Sequence, residues 1–124
     1  MTEVTRIMVV DDHIHLAENI AEILEGEGYQ TLVAGSAEQA LETLSHDLVH
    51  ALITDYKLPG LNGAQLIGEL RRRGQGIPAL VMSAYSDDDT VQLAKHAGAM
   101  AVVGKPVAIA QLLRLVASMR ESHA

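Results

Sequence analysis

The chain has 124 residues, 48% of them hydrophobic, which is enough for one packed core, and it carries a formal charge of −7 from 9 Lys plus Arg against 16 acids. That balance argues against direct nucleic-acid binding, which needs a basic surface, and the absence of cysteine excludes disulfides and thiolate metal sites. No segment approaches the roughly 18 uncharged apolar residues of a membrane span, and Met1-Thr2-Glu3 opens no leader pattern, so a cytoplasmic location without membrane contact is expected.

In chain order, short apolar runs alternate with amphipathic stretches. Ile7-Val10 reads as a strand, and Leu16, Ile20, Ile23 and Leu24 recur at helical spacing before Gly26 and Gly28. Thr31-Ala34 is the second strand. Ser36 and Gln39 have the form of a capping box opening a helix to Leu44. Ala51-Thr54 follows, then a turn rich in Pro and Gly, then a helix capped by Asn62 with Gln65 as its partner and closed by Arg71-Arg72-Arg73, whose charges suit the negative end of the helix dipole. Ala79-Met82 is the fourth strand, and Ser86 with Asp87, Asp88 and Asp89 opens the fourth helix. Ala101-Val103 is the fifth strand, and the last helix runs from about Ile109 to Arg120. Four of the five runs are apolar on both faces, as strands of a covered parallel sheet must be, so the expected fold class is a doubly wound α/β domain with right-handed crossovers.

Polar residues end those strands: Asp11 and Asp12 the first, Asp55 the third, Ser83 the fourth and Lys105 the fifth. In an open parallel sheet every carboxyl end points to one edge, where ligands bind, so the five converge on one crevice. Three carboxylates without cysteine suit a hard divalent cation such as Mg²⁺, which takes carboxylates, waters and substrate phosphate oxygens. A carboxylate can also act as nucleophile and form an aspartyl phosphate, with a metal, an ammonium and a hydroxyl aimed at the transferring oxygens.

The segments MVVDDH, LITDYKLPGLNG, LVMSAYS and VVGKP, in that order and spacing, resemble the receiver domains of two-component response regulators over essentially the whole chain. The resemblance implies a (βα)5 flavodoxin-like three-layer sandwich with strand order 2-1-3-4-5. It implies that Asp55 is the phosphoacceptor, that Asp12 binds Mg²⁺ directly with Asp11 helping through water, and that the backbone carbonyl of Lys57 completes the protein ligands. Lys105 matches the lysine that pairs with the phosphoryl group, Ser83 matches the hydroxyl residue that moves onto it, and the Lys105-Pro106 bond is expected to be cis. The donor implied is a phosphohistidine of a sensor kinase or histidine phosphotransfer domain. A homodimer on phosphorylation fits the family, and the output partner is left open. Residues 1–124 are expected to form one receiver domain without an effector.

One position departs from the pattern. The family usually places Tyr or Phe three residues before its lysine as a rotamer switch, and here Val102 occupies that place; valine can fill a vacated space but cannot swing a ring. Lys57 and Tyr85 match positions over the phosphoryl group, and neither is suited to orient an attacking water, so a long phosphoryl lifetime is expected. Ile14, Ala17 and Ala21 form a second apolar stripe on the first helix that could dock a kinase's phosphohistidine domain. His13 and His15 are expected on the exposed side of the helix start. A haloacid-dehalogenase-like phosphohydrolase also uses an aspartyl nucleophile and Mg²⁺, but Asp55-Tyr56-Lys57 lacks its second Asp. A flavodoxin-like cofactor binder would want flat aromatic faces, and the chain has no Trp or Phe and only three Tyr.

Overall fold

A computed structural model describes residues 5–84 and 88–122. Five strands, β1 (Arg6–Val10), β2 (Gln30–Ala34), β3 (Ala51–Asp55), β4 (Ala79–Ser83) and β5 (Ala101–Gly104), alternate with five helices, α1 (Ile14–Gly26), α2 (Ala37–Leu44), α3 (Gly63–Arg72), α4 (Asp88–Ala97) and α5 (Ile109–Ser122). All strand pairs are parallel and the order is β2-β1-β3-β4-β5, the expected doubly wound topology. Every strand lies within one residue of its expected bounds, because runs apolar on both faces leave little room for a shift.

The pleat divides the core in two. Met8, Val10, Leu52 and Val81 point to one face, where α2, α3 and α4 cover them with Leu41, Leu66, Ile67 and Ala94. Ile7, Val9, Ile53, Leu80 and Met82 point to the other, under Ile20 and Leu24 of α1 and Leu112, Val116 and Met119 of α5. The covering arc of α1 is Ala17, Ile20, Ala21 and Leu24. This corrects the sequence reading of that helix. Ala17 and Ala21 are buried core residues, so Ile14-Ala17-Ala21 is no docking stripe, whereas Leu16 is 38% exposed and Ile23 half-buried. Small side chains let the helix sit close to the sheet and push the bulkier Leu16 to the flank.

The caps hold with one change. Asn62 and Gln65 form a full capping box, Asn62 Oδ1 accepting from the Gln65 N–H at 2.8 Å and Gln65 Oε1 from the Asn62 N–H at 2.9 Å. Ser36 Oγ accepts from the Gln39 N–H at 3.1 Å, but Gln39 Oε1 turns one residue upstream to the Gly35 N–H at 2.7 Å, so the box at α2 is half formed. Ser86, the expected start of α4, lies outside the described residues, as does Tyr85.

The three arginines closing α3 do different things. Arg72 and Arg73 pair with Glu69 on the surface. Arg71 is half-buried and donates to the carbonyls of Gln75 at 3.0 Å, Ile77 at 2.8 Å and Gly98 at 3.1 Å, clipping the entry to β4 to the end of α4. Gly98, at φ +114°, adopts the left-handed backbone that glycine tolerates, and a Cβ there would lie 2.9 Å from Arg71 Nε. Urea unfolding of Arg71→Ala is expected to show a loss of about 2 kcal/mol, because two part-buried carbonyls and an exposed one lose a charged donor. Arg71→Lys should recover less than half of it, since one ammonium lacks the fork that reaches all three, and Arg73→Ala should unfold with the parent. Equal midpoints for Arg71→Ala and Arg73→Ala would remove the clip.

Candidate functional site

The carboxyl edge of the sheet gathers the expected residues. Asp55 ends β3 and is 6% exposed, its carbonyl accepting from Thr54 Oγ1 at 2.9 Å. Ser83 ends β4 in a buried position, and its carbonyl accepts the Lys105 N–H at 2.9 Å, which carries the lysine to the edge. The Lys105-Pro106 bond is cis. Lys105 Nζ donates to Asp55 Oδ2 at 2.9 Å and to Asp11 Oδ2 at 3.1 Å, so residues far apart in sequence meet on one ammonium. Asp11 is fully buried, while Asp12 stands exposed on the rim. Asp12, Asp55, Ser83 and Lys105, together with Lys57, Thr90 and the β3–α3 turn, line a cleft of about 900 Å³.

The turn that closes this cleft is fixed at both ends. The Tyr56 N–H donates to the Met82 carbonyl at 2.8 Å and the Gly63 N–H to the Tyr56 carbonyl at 2.7 Å. Gly60 turns the chain at φ +76°, and Glu38 of α2 reaches across to accept the Leu61 N–H at 3.3 Å. Sequence reasoning missed Glu38, and its only signal was an acid in the first turn of α2, where the dipole is reason enough for it.

Burial holds the Asp55 carboxyl above the usual aspartate range; its hydrogen bond and ion pair with Lys105 pull down, and the charges of Asp11 and Asp12 push up again. Burial alone would lower the Lys105 pKa, but hydrogen bonds and charge contacts with Asp55 and Asp11 outweigh it, leaving the ammonium more firmly protonated than an ordinary lysine. Three carboxylates against one ammonium leave the site short of positive charge. Because Asp55 holds its proton more tightly folded than unfolded, stability without divalent cation should fall as pH rises from about 3.9 through the raised value. Lys105 contributes stability that is fully present below the unfolded lysine value and is lost as pH rises through its own raised one. Urea melts across that acid window should show the slope in the parent and a flatter line in Asp55→Asn; parallel lines would mean that Asp55 titrates as it does unfolded.

The donor set also passes the chemical test for Mg²⁺. It offers oxygen donors from Asp11, Asp12 and Asp55, contains no thiolate, and its excess negative charge is what a divalent cation relieves. Lys57 lines the same cleft. Val102 is half-buried and packs against the cluster between the sheet and the α2, α3 and α4 layer. His15 is fully exposed, as expected. His13 is exposed too, yet its ring leans back over the acid pair, with Nδ1 3.5 Å from an oxygen of Asp11 and 3.5 Å from one of Asp12.

A second feature, unseen in the sequence, borders the site. Leu16 and Ile23 of α1 face Pro106, Val107 and Ile109 across an apolar groove of about 500 Å³ that runs up to Lys105. Helical spacing groups Leu16 and Ile23 with Ile20 and Leu24, yet Leu16 is exposed and Ile23 only half-buried. Among the described residues no helix is long and apolar enough to cross a membrane.

Fold and site define a class: a doubly wound α/β domain that draws acids, a hydroxyl and one lysine to the carboxyl edge of its sheet. Residues 7–117 match the response regulator receiver domain family, and the chain belongs to it. It is 39% identical over 110 residues to a response regulator receiver protein of Anaeromyxobacter sp. (strain Fw109-5), covering 89% of this chain and 46% of that one. It is 29% identical over 107 residues to sporulation initiation phosphotransferase F of Bacillus subtilis (strain 168), covering 86% of each. A CheY-like receiver domain from Methanospirillum hungatei JF-1 superposes with a TM-score of 0.92 at 26% identity, covering 98% of this chain and 97% of that one. The chain therefore spans less than half the length of the first relative and most of the second. This is a receiver domain of two-component signal transduction, and the phosphohydrolase reading finds no support.

Proposed function

We propose that this receiver is switched by phosphorylation of Asp55, with a phosphohistidine of a sensor kinase or histidine phosphotransfer domain as donor. The observation that carries the reading is the Lys105 ammonium bound at once to Asp55 and Asp11 at the sheet edge. In the step itself an Asp55 carboxylate oxygen forms a bond to phosphorus, the N–P bond breaks, and the imidazole nitrogen leaves with its electron pair and takes up a proton. Asp12 and Asp55, with the Lys57 carbonyl and with Asp11 through water, would hold Mg²⁺, which would supply charge neutralisation at the phosphoryl oxygens. Lys105 is already within reach of the acceptor, so it follows the phosphoryl oxygens by exchanging one anion for another. Ser83, one strand over, offers its hydroxyl to the same oxygens.

The donor must reach the edge from outside, and the groove beside Lys105 is where its carrier rests. A helix of the phosphohistidine domain, packing its apolar face on Leu16, Ile23, Pro106 and Ile109, puts a histidine over Asp55. This replaces the alanine stripe as the docking surface. With Val102 in place of a ring, the change passes outward through repacking against α4 rather than through a swinging side chain. Lys57, which lines the cleft, shields the phosphoryl group from water and lengthens its life. The domain works in the cytoplasm as a single receiver unit, with a homodimer on phosphorylation as one form of its output.

The test uses phosphoramidate, whose N–P bond mimics that of phosphohistidine. With Mg²⁺ present, amide NMR shifts should centre on Asp55, Leu58, Ser83 and Lys105 and should be absent in Asp55→Asn. Unchanged spectra in the parent, or the same shifts in the variant, would overturn the reading.

A further inference from the structure

We infer that His13 is a direct ligand of the divalent cation, so that this receiver's site is an N,O site preferring Mn²⁺-like metals over Mg²⁺; this rests on the metal-dependent reading above. Asp11 divides its two oxygens. Oδ2 is held by Lys105 at 3.1 Å, and Oδ1 accepts the His13 backbone N–H at 3.0 Å. That backbone bond folds the chain back sharply at the start of α1 and brings the His13 ring over the acid pair. Nδ1 then stands 3.5 Å from Asp11 Oδ1 and 3.5 Å from Asp12 Oδ1, and one donor atom from each residue falls within 4.8 Å of the others.

The 3.5 Å between Nδ1 and Asp12 Oδ1 is long for a hydrogen bond and matches two ligands on one ion, since bonds of about 2.1 Å at tetrahedral to octahedral angles put donor atoms roughly 3.0–3.5 Å apart. His13 is the N-cap residue of α1, yet its side chain makes no capping hydrogen bond, so the ring is spared for another use. It also lines the same cleft as Asp55 and Asp12. Mg²⁺ gains little from an imidazole, because it is hard and prefers oxygen. Mn²⁺, though lowest of the first-row divalent ions in affinity, is softer than Mg²⁺ and accepts an imidazole nitrogen beside oxygen donors. An added nitrogen therefore raises Mn²⁺ affinity and leaves Mg²⁺ almost unchanged.

The test compares the parent with His13→Asn, because Asn is a strong N-cap residue and preserves the helix start. Calorimetric titration should give Mn²⁺ binding weaker by about tenfold in the variant, with Mg²⁺ binding within twofold of the parent. Pulsed electron paramagnetic resonance of the Mn²⁺-bound parent should show ¹⁴N coupling from one imidazole, lost in His13→Asn and kept in His15→Asn. Mn²⁺ bound with no ¹⁴N coupling would overturn the inference while leaving the acid site intact, His13 being then only a neighbour of the acids. Failure of the parent to bind either metal would overturn both the inference and the metal-dependent reading.

Discussion

Acetyl phosphate and Mg²⁺ are expected to add one phosphoryl group to this domain, seen as a single mass shift, and to add none to Asp55→Asn. The expectation rests on placement. Asp55 is 6% exposed, at the end of a central strand, and is the carboxylate that Lys105 Nζ approaches most closely, at 2.9 Å. Burial raises its pKa, while the hydrogen bond and charge of Lys105 favour the ionised, nucleophilic carboxylate, and a divalent cation offsetting Asp11 and Asp12 would favour it further. Lys105→Ala should slow labelling by about 10²-fold, the usual loss when one preorganised charge is removed from a developing anion. Ser83→Ala should slow it less, because a neutral hydroxyl contributes less than an ammonium. After donor removal, Lys57→Asn and Tyr85→Ala should lose the group faster than the parent. Labelling of Asp55→Asn at the parent's rate would move the acceptor elsewhere, and equal rates for parent and Lys105→Ala would leave the lysine a structural clip between β1 and β3.

Most of the architecture was legible because it depends on pattern. Strands covered on both faces are written as unbroken apolar runs, and helix starts as Ser36, Asn62 and their partners, so each element falls within a few residues of its expected place. The convergence of Asp11, Asp55, Ser83 and Lys105 followed from the parallel sheet alone, since every strand must end at the same edge. Distance and size were less legible. Ala17 and Leu16 are adjacent and both apolar, and nothing in their hydrophobicity tells which one meets the sheet. The structure buries the alanine and leaves the leucine to wall a groove, because close approach of α1 favours the smaller residue. Gln39 reached Gly35 instead of Ser36 for a similar reason, a matter of one side-chain rotamer. His13 looked like an exposed histidine, and it is exposed; only coordinates show its ring turned back over the acids.

The other large effect concerns Gly63, the first residue of α3. Its backbone is not in the left-handed region, so glycine is needed here for room rather than for conformational freedom. A Cβ would press on the carbonyl oxygen of Asp55 and lie 3.1 Å from Tyr56 Cα, both backbone atoms that cannot swing aside. The same residue is anchored by its N–H to the Tyr56 carbonyl at 2.7 Å, and Asn62 before it is tied into the capping box, so α3 has little freedom to retreat. Gly63→Ala is therefore expected to lose about 2–3 kcal/mol, the range for a methyl forced into a filled space, and to melt roughly 10 °C lower. Any relief must come from shifting the end of β3, so the variant should also label at least tenfold more slowly with acetyl phosphate, even at temperatures where it is fully folded. Gly68 in the same helix is the control. A Cβ there meets nothing within 4 Å, and Gly68→Ala should gain about 0.5–1 kcal/mol from helix propensity alone. Opposite shifts in melting temperature, with slowed labelling only in Gly63→Ala, tie the packing of α3 against β3 to the position of the acceptor. Equal melting of the two variants would show that the β3–α3 turn yields freely and that the acceptor's place is set by the sheet alone.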